Sequence, residues 1–98
     1  MNRHNYPYVN RRSKEIEFHI HNPCASHITL FGTFNHWAKS ELQLKPDRNG
    51  DWKITIPMLP HGRYSYKFLI DDVMAAEDIE NPLREPDGVN GWNSVLAL

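Results

Sequence analysis

The chain has 98 residues, of which 40% are hydrophobic and 23% are charged, a balance typical of one globular domain and not of a disordered or fibrous chain. Its 11 basic and 12 acidic residues give a formal net charge of −1, which provides no basic surface for phosphate backbones and excludes nucleic acid as an expected partner. The chain has one cysteine, Cys24, no signal-peptide core at its start and no stretch near the ~20 apolar residues that span a bilayer. We therefore expect a cytoplasmic protein without a membrane partner.

Alternation of apolar and polar residues predicts the strands. Ile16, Phe18 and Ile20 alternate with polar residues in a first strand, and a second, expected to run antiparallel to it, begins at Ile28 after a turn. The other expected strands cover residues 41–44, 52–56, 64–70, 73–75 and 93–98. Asp71-Asp72 occupies the place of a two-residue hairpin turn between two of them.

The remaining segments have the composition of turns and loops. Residues 45–50 are dense in turn formers, and residues 77–91 contain prolines, glycines and acidic residues without a period, which predicts a long loop. About seven short strands separated by such turns predict an all-β sandwich of antiparallel strands. We assign residues 1–13 to a flexible N-terminal extension and residues 14–98 to the sandwich domain.

Catalytic and metal-binding patterns are weak in this sequence. His19 and His21 share one strand face, but this spacing gives half a metal site, and solvent-facing histidines are the favoured interpretation. The carboxylate pairs Asp71-Asp72 and Glu77-Asp78 lie in turns or loops, where turn chemistry explains them better than acid/base catalysis. No nucleophile elbow is present. We therefore expect a protein that is not an enzyme and has no metal or cofactor.

The tryptophans suggest a different kind of site. Trp37 follows a strand and lies in a polar loop, where its ring could be a platform for the C–H face of a sugar or could fold back over the core. Both interpretations remain open from composition alone. Trp52 shares parity with Ile54 and Ile56, which predicts a core position, and the role of Trp92 is open.

Four segments together resemble a known family. They are Ile28-Thr29-Leu30-Phe31-Gly32-Thr33-Phe34-Asn35-His36-Trp37, Gly50-Asp51-Trp52, Leu59-Pro60-His61-Gly62-Arg63-Tyr64-Ser65-Tyr66-Lys67-Phe68 and Asn93-Ser94-Val95. Their combination is similar to the family 48 carbohydrate-binding modules, which include the glycogen-binding domain of AMP-activated protein kinase β subunits and the early-set domains of isoamylases and branching enzymes. The resemblance runs from about Ile16 to Leu98.

This resemblance implies an immunoglobulin-like, early-set β-sandwich that binds α-glucans such as glycogen or starch on one face. Trp37 matches the family's ring platform, Lys67 matches its hydroxyl-binding lysine, and Asn93 matches an asparagine at the start of the last strand. Alternation agrees in part, because it directs Lys67 away from the face of Tyr64, Tyr66 and Phe68.

The sequence departs from the family at two places. Met74 stands where the kinase-type modules have a second tryptophan, and its flexible thioether would cover a sugar face with less rigid area. Val89 stands near a leucine that inserts beside the sugar ring, and Gly91 stands where the family has a threonine.

Two functions of different classes follow. The first is a glucan-binding module that places itself or a partner enzyme on glycogen. The second is an early-set interaction or regulatory domain that docks on another protein and binds little or no sugar. A chain of this length holds no catalytic barrel, so we expect any catalysis to belong to a partner. An exposed Trp37 near Lys67 and Asn93 would favour the first, and a Trp37 buried under the 77–91 loop, with an apolar patch elsewhere, would favour the second.

Overall fold

The computed structural model describes residues 6–98, and these residues form ten β-strands and one short 3-10 turn. The strands are β1 Tyr8–Asn10, β2 Glu15–His21, β3 Ile28–Gly32, β4 Leu42–Gln43, β5 Lys45–Pro46, β6 Asp51–Pro57, β7 Arg63–Ile70, β8 Met74–Ala76, β9 Arg84–Pro86 and β10 Trp92–Ala97. The 3-10 turn, Thr33–Asn35, directly follows β3. Among the described residues there is no helix long and apolar enough to cross a membrane.

The strands form two antiparallel sheets packed face to face. The smaller sheet has the order β1-β2-β6-β5, and the larger sheet has the order β4-β3-β7-β10-β9, with β8 added beside β7. The alternating apolar residues of the long strands meet between the sheets in one core of buried side chains: Ile16, Phe18, Ile20, Ile28, Leu30, Leu44, Trp52, Ile56, Tyr66, Phe68 and Leu96. The predicted all-β, immunoglobulin-like sandwich is therefore confirmed.

The structure adds three strands to those predicted. β1, β5 and β9 are two or three residues long, which is too short to show a period, and β5 and β9 each end in a proline, as edge strands tolerate. β9 lies within the expected 77–91 loop. β1 lies inside the segment assigned to the N-terminal extension, and it pairs with β2. Residues 1–5 of that extension lie outside the described residues. The flexibility of the extension stays a prediction.

The first two predicted strands do not pair with each other. β2 pairs with β6 in the smaller sheet, whereas β3 pairs with β7 in the larger one, so the chain crosses between sheets at residues 22–27. Trp52 is buried as predicted, and its indole N–H donates to the carbonyl of Asn22 at 2.9 Å in this crossing.

Candidate functional site

The outer face of the larger sheet carries a depression of about 390 Å³ that brings together three of the predicted site residues, Trp37, Lys67 and Asn93. Strand register explains how two of them meet. Ser94 pairs with Tyr66, and both are buried on the inner face, so Asn93 and Lys67, one residue away on each strand, point to the outer face. The other lining residues are Phe31, Lys39, Leu69, Asp72, Val73 and Ala75.

Trp37 reaches this face because the chain turns back over β3. The Trp37 amide donates to the Gly32 carbonyl at 2.8 Å, and both His36 and Trp37 have positive φ angles, 56° and 58°. The Trp37 ring contacts Phe31 edge-on, with 5.4 Å between centroids. A left-handed backbone is uncommon for a large side chain and is one form in which strain occurs at functional sites. Trp37 is half-buried, so part of this side chain remains exposed to solvent.

Lys67 is held in place by a residue that the sequence patterns did not indicate. Its ammonium donates to Asp87 Oδ2 at 2.9 Å, and both side chains are mostly buried, with exposures of 19% and 16%. The hydrogen bond from Lys67, together with the amides of Val89 and Gly91, lowers the pKa of Asp87 to about 2. An ammonium has three donors, so Lys67 keeps two for a ligand. The only signal for Asp87 in the sequence was the Asp-Gly turn pair, which does not reveal a partner twenty positions away.

A buried polar network supports the site from the inner face. The Tyr66 hydroxyl donates to Asp78 Oδ2 at 2.7 Å, and the Asp78 amide donates to Ser94 Oγ at 2.8 Å. Asn81 donates to the Tyr66 hydroxyl at 3.0 Å. These bonds attach residues 78–81 to β7 and β10 directly behind Lys67 and Asn93.

Burial strongly raises the pKa values of the two acidic groups in this network, Tyr66 and Asp78. Burial raises the pKa of Tyr66 far above its ordinary value, and it raises the pKa of Asp78 to about 6, against the opposing effect of the Tyr66 hydrogen bond. The pKa of Asp78 in the folded chain exceeds the value of ~3.9 in an unfolded chain, so protonated Asp78 stabilises the fold. This stabilisation is complete below pH ~4. That contribution is lost as the pH rises through about 6.

The hairpin after β7 differs by one residue from the predicted two-residue turn. Asp71 and Asp72 have the expected positive φ angles, but Ile70 pairs with Met74, so the connection has three residues. A slip of one residue moves every following side chain to the other face. Met74 therefore shares the face of Ile70, whereas Val73, before the strand, lines the depression.

The structure thus does not bring Met74 or Val89 to the other three predicted residues. Met74 is 60% exposed and Val89 is 84% exposed, and neither lines the depression. Their contact with a sugar stays a prediction. Phe31 and Leu69, which the prediction missed, form the apolar floor, and their positions on the outward parity of β3 and β7 were the available signal.

The histidines and carboxylates that were considered for other chemistry have structural partners. His19 is largely covered and not solvent-facing as expected, because Asp51 and Glu80 bond its two ring nitrogens at 3.1 Å and Tyr6 stacks on its ring. His21 bonds the same Asp51 oxygen at 2.8 Å. Hydrogen bonds from His21, and then from His19, lower the pKa of Asp51. Residues 6–98 contain no group of three or more such side chains arranged to hold a metal ion.

The acidic pairs are likewise part of the framework. Asp71 accepts the amides of Ser26 and His27 at 2.7 and 2.9 Å, which stabilises the crossing between the sheets. Glu77 forms an ion pair with Arg84 at 3.1 Å. These contacts agree with turn and loop chemistry for Asp71 and Glu77, but not for Asp78, which is buried against Tyr66 and Ser94 and has a raised pKa.

Residues 6–92 match the family described as carbohydrate-binding module 48 (isoamylase N-terminal domain). This match covers most of the chain, so the chain belongs to that family, and the resemblance found in the sequence is confirmed. The family consists of non-catalytic modules that bind carbohydrate. A comparison with curated proteins found no match.

Proposed function

We propose that this chain binds α-1,4-linked glucans, such as glycogen, starch and maltooligosaccharides, in the depression on the outer face of the larger sheet. The observation that carries this proposal is the joint presence of Trp37, Lys67 and Asn93 in its lining. One flat ring for a pyranose face and two polar groups for its hydroxyls are the components that a sugar site needs.

The size and charge of the depression support the same ligand class. A volume near 390 Å³, open to solvent, suits a few sugar units of a longer chain. Lys67 is neutralised by Asp87, so the site has polar groups without a strong net field, as an uncharged polysaccharide requires. The chain has no catalytic function in this proposal and instead places itself or a partner enzyme on glucan. Its single cysteine, the exposed Cys24, is consistent with a cytoplasmic location.

The direct test is affinity electrophoresis of the wild-type protein in native gels with and without glycogen. We expect retardation in glycogen and in soluble starch. The matched control is a gel containing hydroxyethyl cellulose, a β-1,4-linked glucan, in which mobility should not change. Equal mobility in all gels would contradict glucan binding, and retardation by cellulose alone would contradict the α-1,4 preference.

A second candidate function is docking on a regulatory or glucan-metabolising protein with little sugar binding. It is supported by an apolar depression of about 240 Å³ outside the glucan site, lined by Phe34, Asn35, Leu42, Ile56, Pro57, Met58 and Leu59. An apolar depression of this size can receive one anchoring side chain of a partner protein. Under this alternative, Met58→Asp would abolish capture of the partner protein, and Trp37→Ala would leave that capture unchanged. Neither the wild type nor either variant would be retarded by glycogen.

A further inference from the structure

Asp87 begins a turn whose geometry occurs twice in this protein. Asp87 Oδ1 accepts the amides of Val89 and Gly91, and the Asp87 amide donates to the Gly91 carbonyl. Asp47 Oδ1 likewise accepts the amides of Asn49 and Asp51, and the Asp47 amide donates to the Asp51 carbonyl. In both turns one carboxylate oxygen satisfies the backbone.

The two turns differ in the second oxygen. Asp87 Oδ2 accepts the Lys67 ammonium, whereas no ion pair to Asp47 occurs among residues 6–98. Because the turn at Asp47 forms without a cation, the turn at Asp87 does not require one either. The bond to Lys67 is therefore an additional feature of the second turn, and it is located at the glucan depression.

Gly91 makes room for this additional contact. A Cβ at position 91 would lie 2.9 Å from Asp87 Oδ2 and 4.0 Å from Lys67 Nζ. The space that any larger side chain would occupy is thus needed for the carboxylate to meet the ammonium. Glycine at position 91 therefore leaves the space in which this ion pair forms.

We infer that Asp87 is a positioning residue for glucan binding, which acts by fixing the Lys67 ammonium at the depression. This inference rests on the proposed function. Lysine has a flexible four-carbon stem, and ordering such a side chain on binding lowers affinity by roughly two- to tenfold. Asp87 orders the Lys67 side chain in the free protein, so little rotamer entropy of Lys67 is lost when the ligand binds. The other two ammonium donors then face the site without a further search of rotamers.

The test is a double-mutant cycle with Asp87→Asn and Lys67→Met, measured by isothermal titration with maltoheptaose. Asparagine keeps an oxygen for the two backbone amides, but its NH₂ group cannot accept from the ammonium. We expect Asp87→Asn to weaken binding about fivefold, as the loss of that pre-ordering predicts. In the Lys67→Met background the same change should have no effect, which a general disturbance of the loop would not produce.

Asp47→Asn is the matched control, since it makes the same change in the equivalent turn without a lysine. Its affinity for maltoheptaose should equal that of the wild type, and a thermal melt of each variant checks that the fold is retained. Equal affinities of wild type and Asp87→Asn, or an effect of Asp87→Asn that persists in the Lys67→Met background, would overturn the positioning role alone. An absence of binding by the wild type would overturn both this inference and the proposed function.

Discussion

The most direct perturbation of the proposed site is Trp37→Ala, because its effects on stability and on binding can be separated. Trp37 is half-buried, and its ring packs edge-on against Phe31. Removal of a fully buried aromatic side chain costs about 3–5 kcal/mol, so about 1–2 kcal/mol is expected here. A domain with roughly 5–15 kcal/mol of stability remains folded after such a loss.

Binding should be affected more strongly than stability. Stacking on an aromatic platform is worth about 1–3 kcal/mol, which corresponds to a loss of roughly 5- to 150-fold in affinity. Isothermal titration with maltoheptaose and glycogen gels measure this loss, and a thermal melt checks the fold. His36→Ala is the control, because His36 lies in the same turn and also has a positive φ angle. Loss of the cooperative melt in Trp37→Ala would mean that Trp37 is structural, and unchanged affinity would remove it from the site.

Three further predictions test the rest of the site and its support. Lys67→Ala and Asn93→Ala should each weaken binding by roughly 1 kcal/mol, and unchanged retardation of both in glycogen gels would exclude them from the site. Val73→Trp should tighten maltoheptaose binding about tenfold and more than Met74→Trp does, because position 73 and not position 74 lines the depression, and the reverse order in titration would contradict that register. Between pH ~4.5 and ~7.5 the wild type should lose on the order of 2 kcal/mol of stability relative to Asp78→Asn, as the pKa of about 6 predicts, and an unchanged stability difference between the two proteins in urea denaturation across this range would contradict it.

The fold was largely predictable from the sequence because strand periodicity is a local signal. β2, β6 and β7 alternate over seven or eight residues, which is long enough to show which face is apolar. Strands of two or three residues, such as β5, form only because a longer neighbour is already in place. Such short strands therefore cannot be predicted from their own residues, because the neighbouring strand determines them.

The site was predictable only in part because its contacts combine local and distant positions. Alternation along β7 and β10 indicates that Lys67 and Asn93 face outward, and the resemblance to the family identified both residues. The partner of Lys67, Asp87, is twenty residues away in a turn, so no spacing rule connects them. Met74 shows the other limit, since its face depends on whether the turn has two residues or three, and two aspartates are compatible with both.

β3 explains why the depression is both apolar and close to a strained turn. All five of its residues are buried, although an outer strand face ordinarily meets water. Phe31 is covered by Trp37, and the Thr29 hydroxyl donates to the carbonyl of Lys39 at 2.8 Å, so residues 37–39 lie across the outer face. Covering Phe31 offsets part of the cost of the left-handed backbone at Trp37, which is on the order of 1–3 kcal/mol. The same packing fixes the indole before any ligand arrives, and a fixed ring loses little entropy on binding a sugar.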